Sequence, residues 1–127
     1  VVERDKKKIW PSEQISKMAN LGFLGMMTSE KWGGSGLDSV SYCIAMEEIS
    51  KVDASAGVIM SVNNSLVCYL LEKYASDIVK SKYLISLAKG EKLGAFSLSE
   101  PQSGSDASNM QTFAKFDDEN YISASVN

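Results

Sequence analysis

The sequence predicts a mostly α-helical protein, in which a helical bundle is followed by the first strands of a β domain. Up to residue 90, apolar residues recur at three- and four-residue spacing between good capping residues, which is typical of amphipathic helices. From Leu93 onward, short apolar runs and alternation take over, which is typical of strands. We therefore expect an α-helical domain over residues 1–91 and the start of an incomplete β domain over residues 92–127.

The composition excludes several classes of function. The 127 residues are 44% apolar and 23% charged, and their net charge of −3 is not gathered into the basic stripe that nucleic-acid binding needs. Histidine is absent, which removes Ser-His-Asp and Cys-His nucleophilic sites and histidine-based metal sites. We therefore expect no nucleic-acid partner and no metal site.

The cysteines and the longest apolar runs bear on the cellular environment. Cys43 and Cys68 each lie in an apolar helical pattern, so we expect two buried thiols in a reducing compartment and no disulfide. No run approaches the ~18 apolar residues of a membrane span, and no signal peptide is visible. We therefore expect no membrane span.

The first helices are predicted from their ends. Residues 1–9 are charged and fit the tail of a helix. Pro11 suits the first turn of a second helix, which carries Ile15, Met18 and Ala19 on one face. Gly22 follows where that helix is expected to end.

A glycine-rich loop over residues 28–37 precedes the third helix. The loop matches neither a Walker motif nor G-x-G-x-x-G, so we expect a flexible connection whose small residues allow close packing. Asp38 is a good N-cap for a helix over residues 39–51. We expect its inward face to include Val40, Cys43 and Ile44.

A longer helix is predicted from Asp53 to about Tyr74. Within it, Asn63-Asn64-Ser65 interrupts an apolar pattern, and polar side chains in such a helix need partners. Those partners are either the backbone of a neighbouring helix or a bound ligand. Ser76 and Asp77 then cap a last helix that ends at Gly90.

The β region begins at Leu93. Leu93–Leu98 is predicted to be a strand that ends before Pro101, which cannot donate to a sheet ladder. Residues 112–116 and 121–122 are predicted to pair as a hairpin that turns at residues 117–120. So few strands are not a self-sufficient domain.

The stretch Phe96–Ala107, FSLSEPQSGSDA, is where we expect a ligand to bind. Its serine hydroxyls, its free N–H groups and a glycine that can adopt positive φ suit a polar, partly anionic ligand such as a phosphate or a flavin edge. On residue types alone, an ordinary hydrophilic turn remains the alternative.

These motifs resemble the acyl-CoA dehydrogenase family. L-S-E-P-x-x-G-S-D directly after a strand is similar to the family's flavin-binding signature, and the resemblance extends from about Lys17 to Ala107. The stretches at residues 45–50 and 57–66 look most like the short-chain (butyryl-CoA) enzymes. The resemblance implies an N-terminal helical bundle of the acyl-CoA dehydrogenase type, followed by the first strands of a β-barrel-like middle domain.

The resemblance also implies the chemistry and its residues. The activity would be FAD-dependent α,β-dehydrogenation of a short-chain acyl-CoA. Residues implied to bind FAD are Phe96, Ser97, Leu98, Ser99, Glu100, Pro101, Gln102, Ser103, Gly104 and Ser105. Residues implied to bind the acyl-CoA are Ser105, Ile59, Met60, Val62, Asn63 and Leu66. The Leu98 backbone and the Ser99 hydroxyl would address the flavin ring, and Gly104 and Ser105 would lie near the pyrophosphate.

The implied protein is larger than this chain. It would be a homotetramer that passes electrons to an electron-transferring flavoprotein, in the mitochondrial matrix of a eukaryote or the cytoplasm of a bacterium. The family's general base is a glutamate in a C-terminal helical domain, so we predict no catalytic residue here and neither FAD binding nor activity for residues 1–127 alone. The alternatives are a truncated, non-catalytic helical interaction module and an acyl-CoA oxidase relative.

Overall fold

The computed structural model of the protein describes residues 1–117 and 120–124, and it divides the chain into two compact units, Val1–Phe96 and Ser97–Asn127. The first unit is helical. Its helices are α1 (Val2–Lys6), α2 (Ser12–Asn20), α3 (Ser39–Val52), α4 (Ala54–Tyr74) and α5, which comprises Asp77–Val79, Lys80–Leu84 and Ile85–Ala88. A 3-10 turn at Glu30–Trp32 lies between α2 and α3. The predicted bundle of four helices and a partial first one is confirmed.

The predicted helix ends are also confirmed, because local side chains satisfy the free backbone groups there. The Asp38 carboxylate accepts the Ser41 N–H at 2.8 Å, and the Ser76 hydroxyl accepts the Val79 N–H at 3.4 Å. Gly22 and Gly90 adopt φ of +77° and +71° just past the ends of α2 and α5.

Asp53 joins two helices. Its carboxylate accepts the N–H groups of Ser55 and Ala56 at 3.1 and 3.2 Å, which caps α4, and it also pairs with the Arg4 guanidinium of α1. Because only 7% of Asp53 is exposed, this ion pair ties the short first helix to the start of α4.

The core of the helical unit consists of two apolar clusters, and α4 contributes to both. One contains Ile15, Met18, Leu24, Met26, Tyr42, Ala56 and Met60; the other contains Trp32, Cys68, Leu84, Leu87 and Ala88. The inward face predicted for α3 is wrong. Val40 and Ile44 are 68% and 59% exposed and Cys43 is exposed, whereas Tyr42 is buried. Apolar residues occur all around α3, so its spacing did not define one buried face.

The glycine-rich loop is tightly packed, contrary to the flexible connection predicted. Ser35, Gly36 and Leu37 donate their N–H groups to the carbonyls of residues 25, 28 and 26 at 2.8–2.9 Å. A Cβ on Gly34 would lie 2.1 Å from the Thr28 carbonyl oxygen. The small residues therefore serve packing within the unit itself.

Helix α4 has the bounds predicted for it, but it is more apolar than expected, because no candidate membrane span was predicted. It has 21 residues, and an 18-residue window within it has a mean hydropathy of 1.4, so by length and composition it is the one helix in the described part of the chain that could cross a membrane. It contributes to both core clusters, however, and its buried Asn63 and Asn64 bind backbone groups of other segments. These contacts make α4 the central helix of the unit.

The second unit contains an antiparallel hairpin, as predicted. Strand β1 (Phe113–Asp117) pairs with β2 (Asn120–Ala124), and Phe113 lies opposite Ala124. Of the predicted turn, Asp118 and Glu119 lie outside the described residues. The strand predicted at Leu93–Leu98 is wrong: these residues have no regular secondary structure, because no described residue provides a pairing strand.

Candidate functional site

An apolar groove of about 250 Å³ runs along α4 in the helical unit. Residues 58–62 of α4 form one wall, and the segment that leaves the bundle forms another. The lining residues are Trp10, Val58, Ile59, Val62, Leu93, Gly94, Ala95 and Phe96. We call this the acyl groove, after the ligand that the family resemblance predicts for Ile59 and Val62. A narrow, mainly apolar groove of this kind accepts a short aliphatic chain in preference to a polar or bulky group.

Asn63 holds one wall of the acyl groove in place. Its side-chain oxygen accepts the Gly94 N–H at 3.0 Å. A Cβ on Gly94 would lie 2.5 Å from a methyl carbon of Val67, so only glycine allows the backbone to approach α4 this closely. The hydrogen bond and the missing side chain together fix residues 93–96 against the helix.

A π-helical segment, Val62–Cys68, lets α4 direct two consecutive asparagines inward. Asn63 donates to the carbonyls of Leu24 and Leu87 at 2.7 and 3.0 Å. Asn64 accepts the Met26 N–H at 2.7 Å and donates to two further carbonyls, at 2.8 and 2.9 Å. The sequence left two kinds of partner open for these asparagines, neighbouring backbone or a ligand. In the structure their partners are backbone groups of neighbouring segments.

The residues predicted to bind the acyl chain divide into three groups. Ile59 and Val62 line the acyl groove, and their contact with a ligand stays a prediction. Met60 and Asn63 are buried, at 0% and 1% exposed, and do not line the groove. Leu66 is partly exposed but does not line the groove. All five assignments came from the family resemblance, and a ligand contact by any of these residues stays a prediction.

Several groove residues were missed by the sequence reading. Trp10 and Val58 lie in the helical part of the chain, and Leu93, Gly94 and Ala95 come from the segment read as a strand. The sequence did indicate that the backbone of Trp10 is conformationally restricted, because Trp10 directly precedes a proline. Nothing in the local sequence indicated that it faces α4.

The loop in the second unit is organised by Glu100. Its backbone N–H and carbonyl pair with Ser103 at 2.8 and 3.1 Å, which closes a tight turn through Pro101 and Gln102. Its carboxylate accepts the N–H groups of residues 111 and 112 at 2.7 and 3.0 Å. Hydrogen bonds from Thr112 and Gln111 lower the pKa of Glu100. In these contacts Glu100 shapes the loop.

The loop presents some of its predicted ligand groups and hides one. Ser103 is 1% exposed and donates its hydroxyl to the Asp106 carbonyl at 2.8 Å, so that hydroxyl is already used. Ser99 and Ser105 are exposed, and a Cβ on Gly104 would meet nothing within 4 Å. Gly104 does not use positive φ, although the sequence allowed it.

Backbone N–H groups of the second unit lie directly before this turn. Among the described residues, the N–H groups of residues 97–99 make no hydrogen bond to backbone or side chain. Free N–H groups, two exposed serine hydroxyls and open space beside a glycine are the groups that a flavin edge or a pyrophosphate requires. The residues present therefore fit FAD.

Two further kinds of reactive group in the described part of the chain give no competing site. Burial raises the pKa of the Cys68 thiol to about 11, so this cysteine is neither a nucleophile nor a thiolate ligand at neutral pH. The described residues contain no group of three or more histidine, cysteine or acidic side chains that could hold a metal ion.

Comparison with known proteins identifies the family. The model of the acyl-CoA dehydrogenase N-terminal domain matches residues 1–91. The chain belongs to the acyl-CoA dehydrogenase family. A relative named short-chain specific acyl-CoA dehydrogenase, mitochondrial, from Homo sapiens, is 45% identical over 118 residues, which are 93% of this chain and 29% of the relative.

Solved structures agree with this membership. Butyryl-CoA dehydrogenase from Megasphaera elsdenii has a TM-score of 0.82 and 41% identity, over 93% of this chain and 32% of its own. A chain in a solved structure described as the electron transferring flavoprotein of Acidaminococcus fermentans has a TM-score of 0.87 and 44% identity to this chain. The match covers 95% of this chain and 32% of the other chain. This acyl-CoA dehydrogenase family member thus spans about a third of the length of the relatives it matches.

Proposed function

We propose that this chain provides the N-terminal part of an enzyme that removes two hydrogens from the α and β carbons of a short-chain acyl-CoA, with FAD as the acceptor. The observation that carries the proposal is the acyl groove. Ile59 and Val62 give it an apolar floor, and residues 93–96, fixed by Asn63, give it a wall. In this proposal residues 1–91 form the helical domain and residues 92–127 begin the middle domain.

FAD is the proposed cofactor, and the loop of the second unit is its proposed binding segment. Ser99 and the N–H groups of residues 97–99 would address the flavin ring, while Gly104 and Ser105 would bind near the pyrophosphate. Bound FAD supplies the two-electron acceptor that no amino-acid side chain can provide. Glu100 keeps the loop closed for this purpose through its bonds to residues 111 and 112.

The proposed substrate is a short acyl-CoA. The acyl groove is small, and relatives at 41–45% identity are named for short-chain acyl-CoA or butyryl-CoA. In a pocket of this kind, one methylene group is worth about 1–3 kcal/mol of discrimination. Ser105 is proposed to contact the pantetheine arm, and an electron-transferring flavoprotein is the proposed acceptor of the electrons from a homotetramer.

The proposal is tested on the longest natural polypeptide that contains residues 1–127. The protein is purified, its flavin content is measured, and butyryl-CoA or octanoyl-CoA is added without oxygen while the flavin absorbance is recorded. We expect stoichiometric FAD and faster, more complete bleaching by butyryl-CoA. Absence of bleaching by any acyl-CoA would reject the dehydrogenase function, and equal bleaching by both would reject the short-chain assignment.

A further inference from the structure

A second cavity meets the acyl groove at Trp10. It has a volume of about 540 Å³ and lies between α1 and the start of α4. Trp10, Val58 and Ile59 line both this cavity and the acyl groove, so these side chains form the boundary between the two spaces. Trp10 carries by far the largest side chain of the three. Its indole therefore contributes more to this boundary than either of the two aliphatic side chains.

The backbone on both sides of Trp10 is held in place. Helix α1 ends in a Schellman arrangement: Lys8 has a φ of +52°, its N–H donates to Asp5 at 3.0 Å, and the Ile9 N–H donates to Arg4 at 3.0 Å. On the other side, Pro11 restricts the conformation of Trp10 itself. The positive φ of Lys8 and the restriction by Pro11 together fix the position of the backbone that carries the Trp10 indole.

The second cavity is suited to a longer aliphatic chain. Beyond the shared boundary, Val1, Ile9 and Pro11 continue its apolar lining. The charged residues Arg4, Asp5 and Lys8 also line this space, and Arg4 forms an ion pair with Asp53. Removal of the indole would therefore join the acyl groove to a larger and mainly apolar volume.

We propose that Trp10 is a specificity-determining residue that closes the end of the acyl groove and excludes long acyl chains. This inference rests on the proposed function, since it assumes that an acyl thioester occupies the groove. Trp10 is 57% exposed and belongs to neither core cluster, so we expect its replacement to leave the packing of the two clusters unchanged. We therefore expect removal of the indole to change the preference between short and long acyl-CoA substrates without changing the stability of the protein.

The test compares Trp10→Ala and Trp10→Leu with two controls in the longest natural polypeptide that contains this chain. Trp10→Phe keeps an aromatic ring at the boundary, and Tyr74→Ala removes an aromatic residue, 69% exposed, that lines no described cavity. For each variant, kcat/KM is measured for butyryl-CoA and octanoyl-CoA. Binding of the corresponding 2-enoyl-CoA products is measured by calorimetry, and the thermal midpoint records folding.

We expect Trp10→Ala to raise the octanoyl-to-butyryl ratio of kcat/KM at least 10-fold, in line with the value of a methylene in an apolar pocket. Trp10→Leu should give a smaller rise, and both controls should stay within 2-fold of the parent. Tighter binding of the longer product should accompany the rise. If Trp10→Ala does not fold, the same comparison is made with Trp10→Leu.

Two results would overturn the inference while leaving the proposed function intact. One is an unchanged ratio in a folded Trp10→Ala protein. The other is an equal loss of activity with both substrates, which would make Trp10 a merely structural residue. If the parent protein neither bleaches with nor binds any acyl-CoA, the proposed function fails, and this inference fails with it.

Discussion

Replacement of Asn63 by leucine should destabilise the helical unit strongly, although the two side chains are similar in volume. Leucine at this position leaves the Leu24 carbonyl without a hydrogen-bond donor among the described residues, and it leaves the half-buried Gly94 N–H without an acceptor there. The Leu87 carbonyl keeps one donor, the Gly90 N–H at 3.1 Å. An unsatisfied buried group costs about 1–3 kcal/mol, so these losses together come to roughly 3 kcal/mol.

Urea unfolding of the 127-residue chain measures this loss, with fluorescence of the buried Trp32 as the probe of the helical unit. With a slope of about 1–3 kcal/mol per M, the midpoint should fall by about 1–3 M. The matched control is Asn20→Leu, because Asn20 is exposed and its side chain makes no hydrogen bond among the described residues. The control should change the free energy of unfolding by less than ~0.5 kcal/mol. A loss below ~1 kcal/mol in Asn63→Leu would refute the reasoning.

Three further predictions follow from single contacts. Gly34→Ala should lower the free energy of unfolding in urea by more than ~2 kcal/mol, because the added Cβ would lie 2.1 Å from a carbonyl oxygen. Gly104→Ala should leave the free energy of unfolding unchanged, because a Cβ on Gly104 would meet open space. Equal effects of the two substitutions would contradict this description of the packing. Cys43 should react with a thiol reagent in the native protein, while Cys68, whose pKa burial raises to about 11, should react only on unfolding; simultaneous labelling would contradict the burial. The pKa of Glu100 is lowered, so the hydrogen bonds to its carboxylate stabilise the loop above the ordinary glutamate pKa and are lost as the pH falls through the lowered value. The NMR shifts of the two backbone amides that donate to Glu100 should titrate at this lowered pKa. A titration midpoint at or above the ordinary glutamate value would contradict this prediction.

Helix ends were predictable from sequence because they depend on local chemistry. Asp38 and Ser76 cap their helices with their own side chains, and Gly22 and Gly90 end helices because they accept positive φ. Each of these features involves residues that are near one another in the chain. No knowledge of the tertiary structure was needed to place them.

The buried faces and the walls of the acyl groove were less predictable, because they depend on packing between distant segments. The apolar residues of α3 allow more than one inward face, and Tyr42 is buried through contact with α4 and its hydroxyl bond to Ser65. The residue type of Asn63 left neighbouring backbone and a ligand both open as partners, because the π-helical segment that turns it inward leaves no signature in the sequence. Gly94 could be recognised as a wall only once Val67 was placed beside it.

The central claim is that the acyl groove along α4 receives the fatty chain of a thioester. A crystal structure of the longest natural polypeptide that contains this chain, with FAD and a bound non-reactive butyryl-CoA analogue, tests it directly. We predict acyl carbons within ~4.5 Å of the side chains of Ile59 and Val62, with the chain ending before Trp10. An analogue bound with its acyl carbons away from these three residues would contradict the account.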